Sequence, residues 1–189
     1  DRANRDVLDV YEENRSFGDR LRYRIEHAQI VHPDDVPRFA HLGVIASMQP
    51  VHCTSDRDAA IRLWGERCRY AYAWRSLLDS GTVLAFGSDC PVETISPLAG
   101  IYAAVTRQRP DEPDGRPWHA EQCLTPLEAL RAYTLGSAYA SGEEAIKGSL
   151  AVGKLADMVV LSKDILAVPP PEILSTEVEM TIVGGHIVY

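Results

Sequence analysis

Strand-like and helix-like stretches alternate over about the first 140 residues of the chain, and this alternation is the strongest constraint on the fold. Three short apolar stretches, at residues 21–25, 44–48 and 83–86, have the length of buried strands. Helical patterns are expected at residues 2–14, 33–42, 68–79, 97–107 and 125–139. Strands that alternate with helices are joined by crossover connections and pair in parallel. The pattern therefore predicts an α/β fold built on a parallel sheet.

The pattern changes after Gly142, where strand-like stretches follow one another with only turns between them. These stretches lie at residues 148–153, 157–161 and 180–189. Gly184 and Gly185 separate two apolar runs, which is typical of a β-hairpin. We therefore expect two domains, an α/β domain at residues 1–142 and part of a small β domain at residues 143–189.

The length and charge of the chain limit the class of protein. A complete (β/α)8 barrel uses roughly 250 residues, whereas this chain has 189 and begins at Asp1. We expect it to be the C-terminal part of a longer polypeptide. The formal net charge is −8, without any basic run, which disfavours nucleic acid and anionic membranes as partners. A small-molecule substrate fits the composition better, and a homo-oligomer is compatible with it.

The four cysteines are widely spaced and form no Cys-x-x-Cys pair. Such spacing is more typical of reduced, buried thiols than of a zinc ribbon or a disulfide framework. This pattern predicts a cytoplasmic protein.

Two of the three predicted strands end at a residue that can bind metal. His27 follows the first strand, and Asp89 follows the third after Gly87 and Ser88. Taken alone, His27 would be read as a strand-end hydrogen-bonding group and Asp89 as a turn cap. Together they are expected to meet at one edge of the sheet, where an imidazole and a carboxylate can hold a divalent metal. Because metal-bound water is a nucleophile near neutral pH, the pattern indicates a metal-dependent hydrolase.

The remaining histidines and Ser88 carry weaker signals. His52 is expected in a loop beyond the second strand, where it could contact substrate or metal, or have no role. His119, after Trp118, is left open between a structural and a functional role. Ser88 lacks the Gly-x-Ser-x-Gly pattern of serine hydrolases. Structural roles are expected for Ser88, His32, His41 and His186.

Four segments of the chain resemble, in order and spacing, the C-terminal half of amidohydrolase family 3. They lie at residues 24–29, 46–52, 85–93 and 148–157. This family is a branch of the metal-dependent amidohydrolases and includes N-substituted formamide deformylases. The resemblance covers essentially the whole chain. One departure is Cys90, which stands where the family more often has an aromatic residue.

The resemblance implies the C-terminal part of a (β/α)8 TIM-type barrel, strands six to eight, followed by part of a small β-sandwich. It implies that His27 is the strand-six metal ligand. Asp89 is then the strand-eight aspartate that contacts the metal, most often Zn²⁺, and takes a proton from the attacking water. The other family ligands would lie upstream of Asp1, so at most two ligands are expected from this chain.

The expected function is hydrolysis of a non-peptide carbon–nitrogen bond in a small amide, formamide or cyclic amide. Asp89 would act as the general base, and His52 could polarise the substrate carbonyl. Two alternatives stay open. The parent protein could be a deaminase or another hydrolytic member of the same superfamily, or the isolated chain could be a non-catalytic fragment or assembly module.

Overall fold

A three-stranded parallel sheet organises the N-terminal part of the chain. The computed structural model describes residues 1–15, 21–112 and 115–189. The strands are β1 (Arg24–Glu26), β2 (Ile45–Met48) and β3 (Leu84–Phe86), in the order β1-β2-β3. Ile25 lies opposite Ala46 and Ser47 lies opposite Ala85, both in parallel register. The predicted parallel sheet is confirmed, although all three strands begin later than expected.

Nine α-helices and four 3₁₀ or π-helical turns accompany the sheets within the described residues. The helices are α1 (Arg2–Glu13), α2 (Val36–Leu42), α3 (Pro50–Ser55), α4 (Arg57–Trp64), α5 (Trp74–Asp79), α6 (Pro97–Thr106), α7 (Pro126–Arg131), α8 (Ser137–Ala140) and α9 (Pro170–Ile173). The 3₁₀ turns are Pro33–Asp35, Gly65–Tyr70 and Ala120–Gln122, and a π-helical turn is Ala132–Gly136. No helix in the described ranges is both long enough and apolar enough to cross a bilayer.

The connection between β2 and β3 differs from the prediction. The single helix expected at residues 68–79 is divided into a 3₁₀ turn and α5, and α3 and α4 precede them. The division has a local cause, because Tyr72 adopts a left-handed φ of 52°. Its hydroxyl lies 2.9 Å from Asp56 Oδ2 and 2.8 Å from Gln29 Nε2. These contacts hold Tyr72 in place and interrupt the helix.

The C-terminal sheet is antiparallel, with strands β4 (Met158–Leu161), β5 (Val178–Val183) and β6 (His186–Ile187) in that order. Gly184 and Gly185 have φ values of 56° and 83°, as a two-residue hairpin turn needs. The predicted hairpin is confirmed. The strand predicted at residues 148–153 is wrong, because these residues form turns and bends. A Cβ on Gly148 would lie 2.7 Å from Ala138 Cβ, so this segment packs against α8 instead.

The segment from α7 to α8 packs directly on β3. Thr125 begins α7 with the predicted capping box, in which its backbone N–H donates to Glu128 Oε2 at 2.7 Å. Further along, a Cβ on Gly136 would lie 2.0 Å from Leu84 O, and Ser137 Oγ donates to Phe86 O at 2.8 Å. The helical segment is therefore in backbone contact with the strand that leads to Asp89.

An aromatic core with a buried arginine lies beside the parallel sheet. The rings of Trp74 and Phe86 are 5.9 Å apart, and those of Tyr72 and Trp118 are 6.1 Å apart. The Arg107 guanidinium lies 4.6 Å from the Trp74 ring centre and donates to Tyr72 O at 2.8 Å. Burial lowers the pKa of Arg107, and carbonyl oxygens and aromatic faces stabilise its charge.

A buried carboxylate ties α1 to α2. Asp35 is 2% exposed and lies 2.8 Å from Arg5 Nε and 3.2 Å from Arg38 Nη1. Arg38 also lies 2.7 Å from both Asp9 and Glu12 of α1. Because Asp35 contacts two arginines from different helices, it fixes how α1 packs beside the sheet.

Candidate metal centre

The first and third strands end at the same edge of the parallel sheet. His27 follows β1 directly, and its backbone N–H donates to Ser47 O at 2.7 Å. Gly87 follows β3, and its N–H donates to Met48 O at 3.1 Å, two residues before Asp89. The carboxyl ends of parallel strands meet at one edge, so the two predicted site residues lie beyond it together.

His52 lies at this edge as well, although the loop predicted for it is wrong. Pro50 occupies the first turn of α3, which begins directly after β2, and His52 lies within that helix. Proline at the first turn of a helix is a favourable start, because its missing N–H would have no helical partner. The Gln49-Pro50 pair after a strand was therefore a signal for the helix.

One donor atom from each of His27, His52 and Asp89 lies within 4.8 Å of the others. His52 Nε2 is 3.3 Å from Asp89 Oδ2, and the two imidazole rings are 5.8 Å apart. His52 is mostly buried, with 12% of its side chain exposed, whereas His27 and Asp89 are exposed. At most two donors were expected from this chain, and the structure places His52 beside them.

This donor set fits a divalent metal. Imidazole nitrogen and carboxylate oxygen are ligands that zinc accepts. His27 supplies an imidazole nitrogen and Asp89 a carboxylate oxygen, one beyond the carboxyl end of each outer strand of the parallel sheet. Their donor atoms lie within 4.8 Å of each other, close enough for one ion to reach both after a small adjustment.

Two further polar residues support the histidines, and the sequence analysis missed both. Gln49 Oε1 lies 2.8 Å from His27 Nδ1. Glu93 Oε1 lies 3.4 Å from His52 Nδ1 and accepts a hydrogen bond from Ser55 Oγ. His52 thus has a carboxylate oxygen opposite each ring nitrogen. A polar residue directly after an apolar strand was the available signal for Gln49, and the proximity of Glu93 to Asp89 in sequence was the signal for Glu93.

The backbone at the site adopts conformations that non-glycine residues rarely take. His27, Ala28 and Asp89 have φ values of 66°, 39° and 58°. Each non-glycine residue in this left-handed conformation lowers the stability of the folded protein by about 1–3 kcal/mol, and such residues cluster at functional sites. At both strand ends the turn aims the side chain toward the centre of the cluster.

The other residues considered in the sequence lie apart from this cluster or have structural contacts. Cys90 N–H donates to Ser88 Oγ at 3.3 Å, and Asp34 N–H donates to His32 Nδ1 at 3.3 Å. His41 lies in α2 and His186 in β6. The ring of His119 lies 4.9 Å from Trp118, and burial together with the Arg107 charge lowers the pKa of His119.

Known proteins resemble this chain over most of its length. The amidohydrolase family model matches residues 1–189. The Bacillus subtilis protein YtcJ is 36% identical over 167 residues, covering 88% of this chain and 32% of that protein. The N-substituted formamide deformylase of Arthrobacter pascens is 33% identical over 188 residues, which cover 97% of this chain and 34% of the deformylase. The solved structure of an uncharacterized metal-dependent hydrolase from Pyrococcus horikoshii OT3 matches with a TM-score of 0.76 and 32% identity. The match covers 90% of this chain and 34% of that hydrolase.

The chain spans about a third of the length of the curated relatives it matches. The family model nevertheless covers every residue of this chain, and the fold agrees with that of a metal-dependent hydrolase. The chain belongs to the amidohydrolase family.

Proposed function

We propose that this chain is part of a metal-dependent hydrolase that cleaves a non-peptide carbon–nitrogen bond in a small amide, formamide or cyclic amide. The observation that carries the proposal is the convergence of His27, His52 and Asp89 at the carboxyl edge of one parallel sheet. Membership of the amidohydrolase family supports the reaction class. The likeness to the N-substituted formamide deformylase supports a small formamide or amide as substrate.

The architecture that we propose for the parent protein is a (β/α)8 barrel in which β1, β2 and β3 are strands six, seven and eight. Their parallel order along the chain supports this assignment. Within the described residues, β1 and β3 pair with a strand on one side only, and barrel closure would supply the other neighbours. Residues 1–142 would be the barrel portion, and residues 143–189 part of a small β-sandwich.

His27 and Asp89 are the proposed ligands for a divalent metal, most simply Zn²⁺, with further ligands from the rest of the barrel. When bound, such a metal lowers the pKa of water and supplies a nucleophile near neutral pH. The carboxylate of Asp89 would accept a proton from the attacking water. Asp89 would then pass this proton to the substrate nitrogen as the carbon–nitrogen bond breaks.

His52 is proposed to hold the substrate carbonyl. The carboxylate of Glu93 lies 3.4 Å from Nδ1 and holds the ring of His52 so that Nε2 faces the reacting centre. Because His52 is mostly buried and anchored on α3, it can make this contact without large movement.

The proposed partners are a small-molecule substrate and the remainder of the same barrel. A cytoplasmic location is also proposed, and all four cysteines are free, which supports it. The exclusion of nucleic acid and membranes and the compatibility with a homo-oligomer stay predictions from the sequence.

The test is an assay of the full-length protein on simple amides, N-substituted formamides and cyclic amides, before and after metal removal by a chelator. We expect turnover that disappears with the metal and returns with Zn²⁺. The double variant His27→Ala/Asp89→Ala should lose it, and His41→Ala, on α2, should retain it. Turnover that survives metal removal, or ammonia release from amino-substituted rings without amide hydrolysis, would contradict the proposal. The isolated 189-residue chain should show little activity, because two ligands hold a catalytic metal poorly.

A further inference from the structure

Gln49 lies at the junction of β2 and α3 and contacts both histidines of the candidate metal centre. It is 8% exposed. Its side-chain Oε1 lies 2.8 Å from His27 Nδ1. Its backbone carbonyl accepts a hydrogen bond from the N–H of His52 at 3.1 Å, within the first turn of α3. One buried residue thus holds the ring of one histidine and the backbone of the other.

The contact with His27 determines which ring nitrogen is free. A neutral imidazole carries one N–H, and an amide oxygen can only accept a hydrogen bond. With Gln49 Oε1 at Nδ1, the hydrogen lies on Nδ1 and the lone pair on Nε2. Metal-binding histidines commonly donate the second ring N–H to an oxygen, which fixes both the tautomer and the ring orientation.

The rest of the site makes such a support necessary. His27 is exposed and has a left-handed φ of 66°. Its ring has a single side-chain hydrogen-bond partner among the described residues, namely Gln49. An exposed ring without that partner could rotate or adopt the other tautomer, which would place N–H where a lone pair is needed.

We propose that Gln49 is a positioning residue that holds His27 in the Nδ1–H tautomer with Nε2 directed at the metal position. This inference rests on the proposed function, since it assigns His27 as a ligand. Gln49 does not itself touch substrate or metal. Its effect reaches the metal through the ring of His27.

Two substitutions at Gln49 separate hydrogen bonding from packing. Gln49→Glu keeps an acceptor oxygen at Nδ1, whereas Gln49→Met keeps the length of the side chain and removes the acceptor. The matched control is Gln122→Met, because the side chain of Gln122 is partly buried and donates to Ser76 Oγ at 2.8 Å, away from His27 and His52. The Zn²⁺ dissociation constant of the full-length protein is measured by competition with a chromophoric chelator. Supporting residues of this kind typically change metal affinity about 10- to 100-fold.

We expect Gln49→Met to weaken Zn²⁺ binding by about 10- to 100-fold, and Gln49→Glu and Gln122→Met to bind nearly as the unsubstituted protein does. Equal affinity in both Gln49 variants would overturn the proposal, and so would weaker binding by Gln49→Glu than by Gln49→Met. The latter order would mean that the amide NH₂ faces the ring.

A second readout requires no substitution at Gln49. Nitrogen-15 spectra of the metal-free, histidine-labelled full-length protein, assigned with His27→Ala, report the tautomer of His27 directly. The Nδ1–H form is expected, and the Nε2–H form would overturn the inference. If His27 has the expected tautomer but the protein binds no Zn²⁺, the proposed function fails while the assignment of Gln49 to the ring of His27 stands.

Discussion

Replacing Gly136 with alanine is expected to loosen the sheet at the strand that leads to the candidate metal centre. Gly136 lies in the π-helical turn between α7 and α8, directly against β3. A Cβ at this position would be 2.0 Å from Leu84 O and 3.1 Å from the Leu84 carbonyl carbon. These are backbone atoms, which cannot turn aside as a flexible side chain can. The helical segment and β3 would have to separate by about 1 Å or more to restore ordinary contact distances.

The magnitude follows from two opposing effects. Overpacking in a well-packed interior is destabilising by about 1–3 kcal/mol, and a contact with backbone belongs at the upper end of that range. Alanine is better than glycine in a helix by about 1 kcal/mol. The net loss in the free energy of unfolding is therefore about 2 kcal/mol. Because Asp89 follows β3 closely, the same displacement should weaken metal binding, and a 1 Å misplacement can lower activity about 100-fold.

The assay is urea unfolding together with Zn²⁺ affinity, both measured on the full-length protein. The control is Gly153→Ala, whose left-handed φ of 90° has no atom near the added Cβ. The free energy of unfolding of Gly153→Ala should fall by about 1 kcal/mol, from the strained backbone conformation alone. This variant should bind Zn²⁺ normally. If Gly136→Ala is as stable as the unsubstituted protein and binds Zn²⁺ equally well, the reasoning about this contact is wrong.

Three further changes test other parts of the structure. Asp89→Asn should keep the melting temperature nearly unchanged yet lower kcat about 10²- to 10⁴-fold; early melting with normal turnover would instead indicate a turn cap. The Arg75 guanidinium lowers the pKa of Glu128 to about 2, so its stabilisation is complete above the ordinary pKa of glutamate and is lost as pH falls toward 2. Glu128→Gln should therefore lower the free energy of unfolding by about 1–2 kcal/mol at pH 7 and by much less near pH 2, and an equal loss in urea unfolding at both pH values would contradict this. Asp35→Ala should lower the unfolding free energy by about 2–3 kcal/mol, and a neutral result in urea unfolding would show that its two arginines rehydrate without loss.

The parallel sheet and the approach of His27 to Asp89 could be predicted because both depend on simple geometry. Apolar stretches that alternate with helices pair in parallel, and the residues that follow them then meet at one edge. The capping box at Thr125 and the hairpin at Gly184 were predictable for a similar reason, since a few neighbouring residues determine each of them.

The contributions of His52 and Gln49 could not be predicted with the same ease. The position of His52 depends on a helix of six residues, Pro50–Ser55, too short to show a hydrophobic period. The contact of Gln49 with His27 joins two strands that are adjacent in space but separated in sequence. The strand expected at residues 148–153 failed because Gly148 packs closely against α8, and tertiary contact overrode the local pattern. The sequence of residues 109–117 is rich in Pro, Asp and Gly and predicts a polar loop. Positions 113 and 114 of that loop lie outside the described residues.

His27 and Asp89 are proposed to hold one divalent metal, with His52 beside it. Anomalous diffraction at the zinc edge, from crystals of the full-length protein grown with Zn²⁺, tests this most directly. One strong peak is expected about 2.0–2.2 Å from a ring nitrogen of His27 and a carboxylate oxygen of Asp89. No peak at these residues, or a peak bound only by groups elsewhere in the protein, would contradict it.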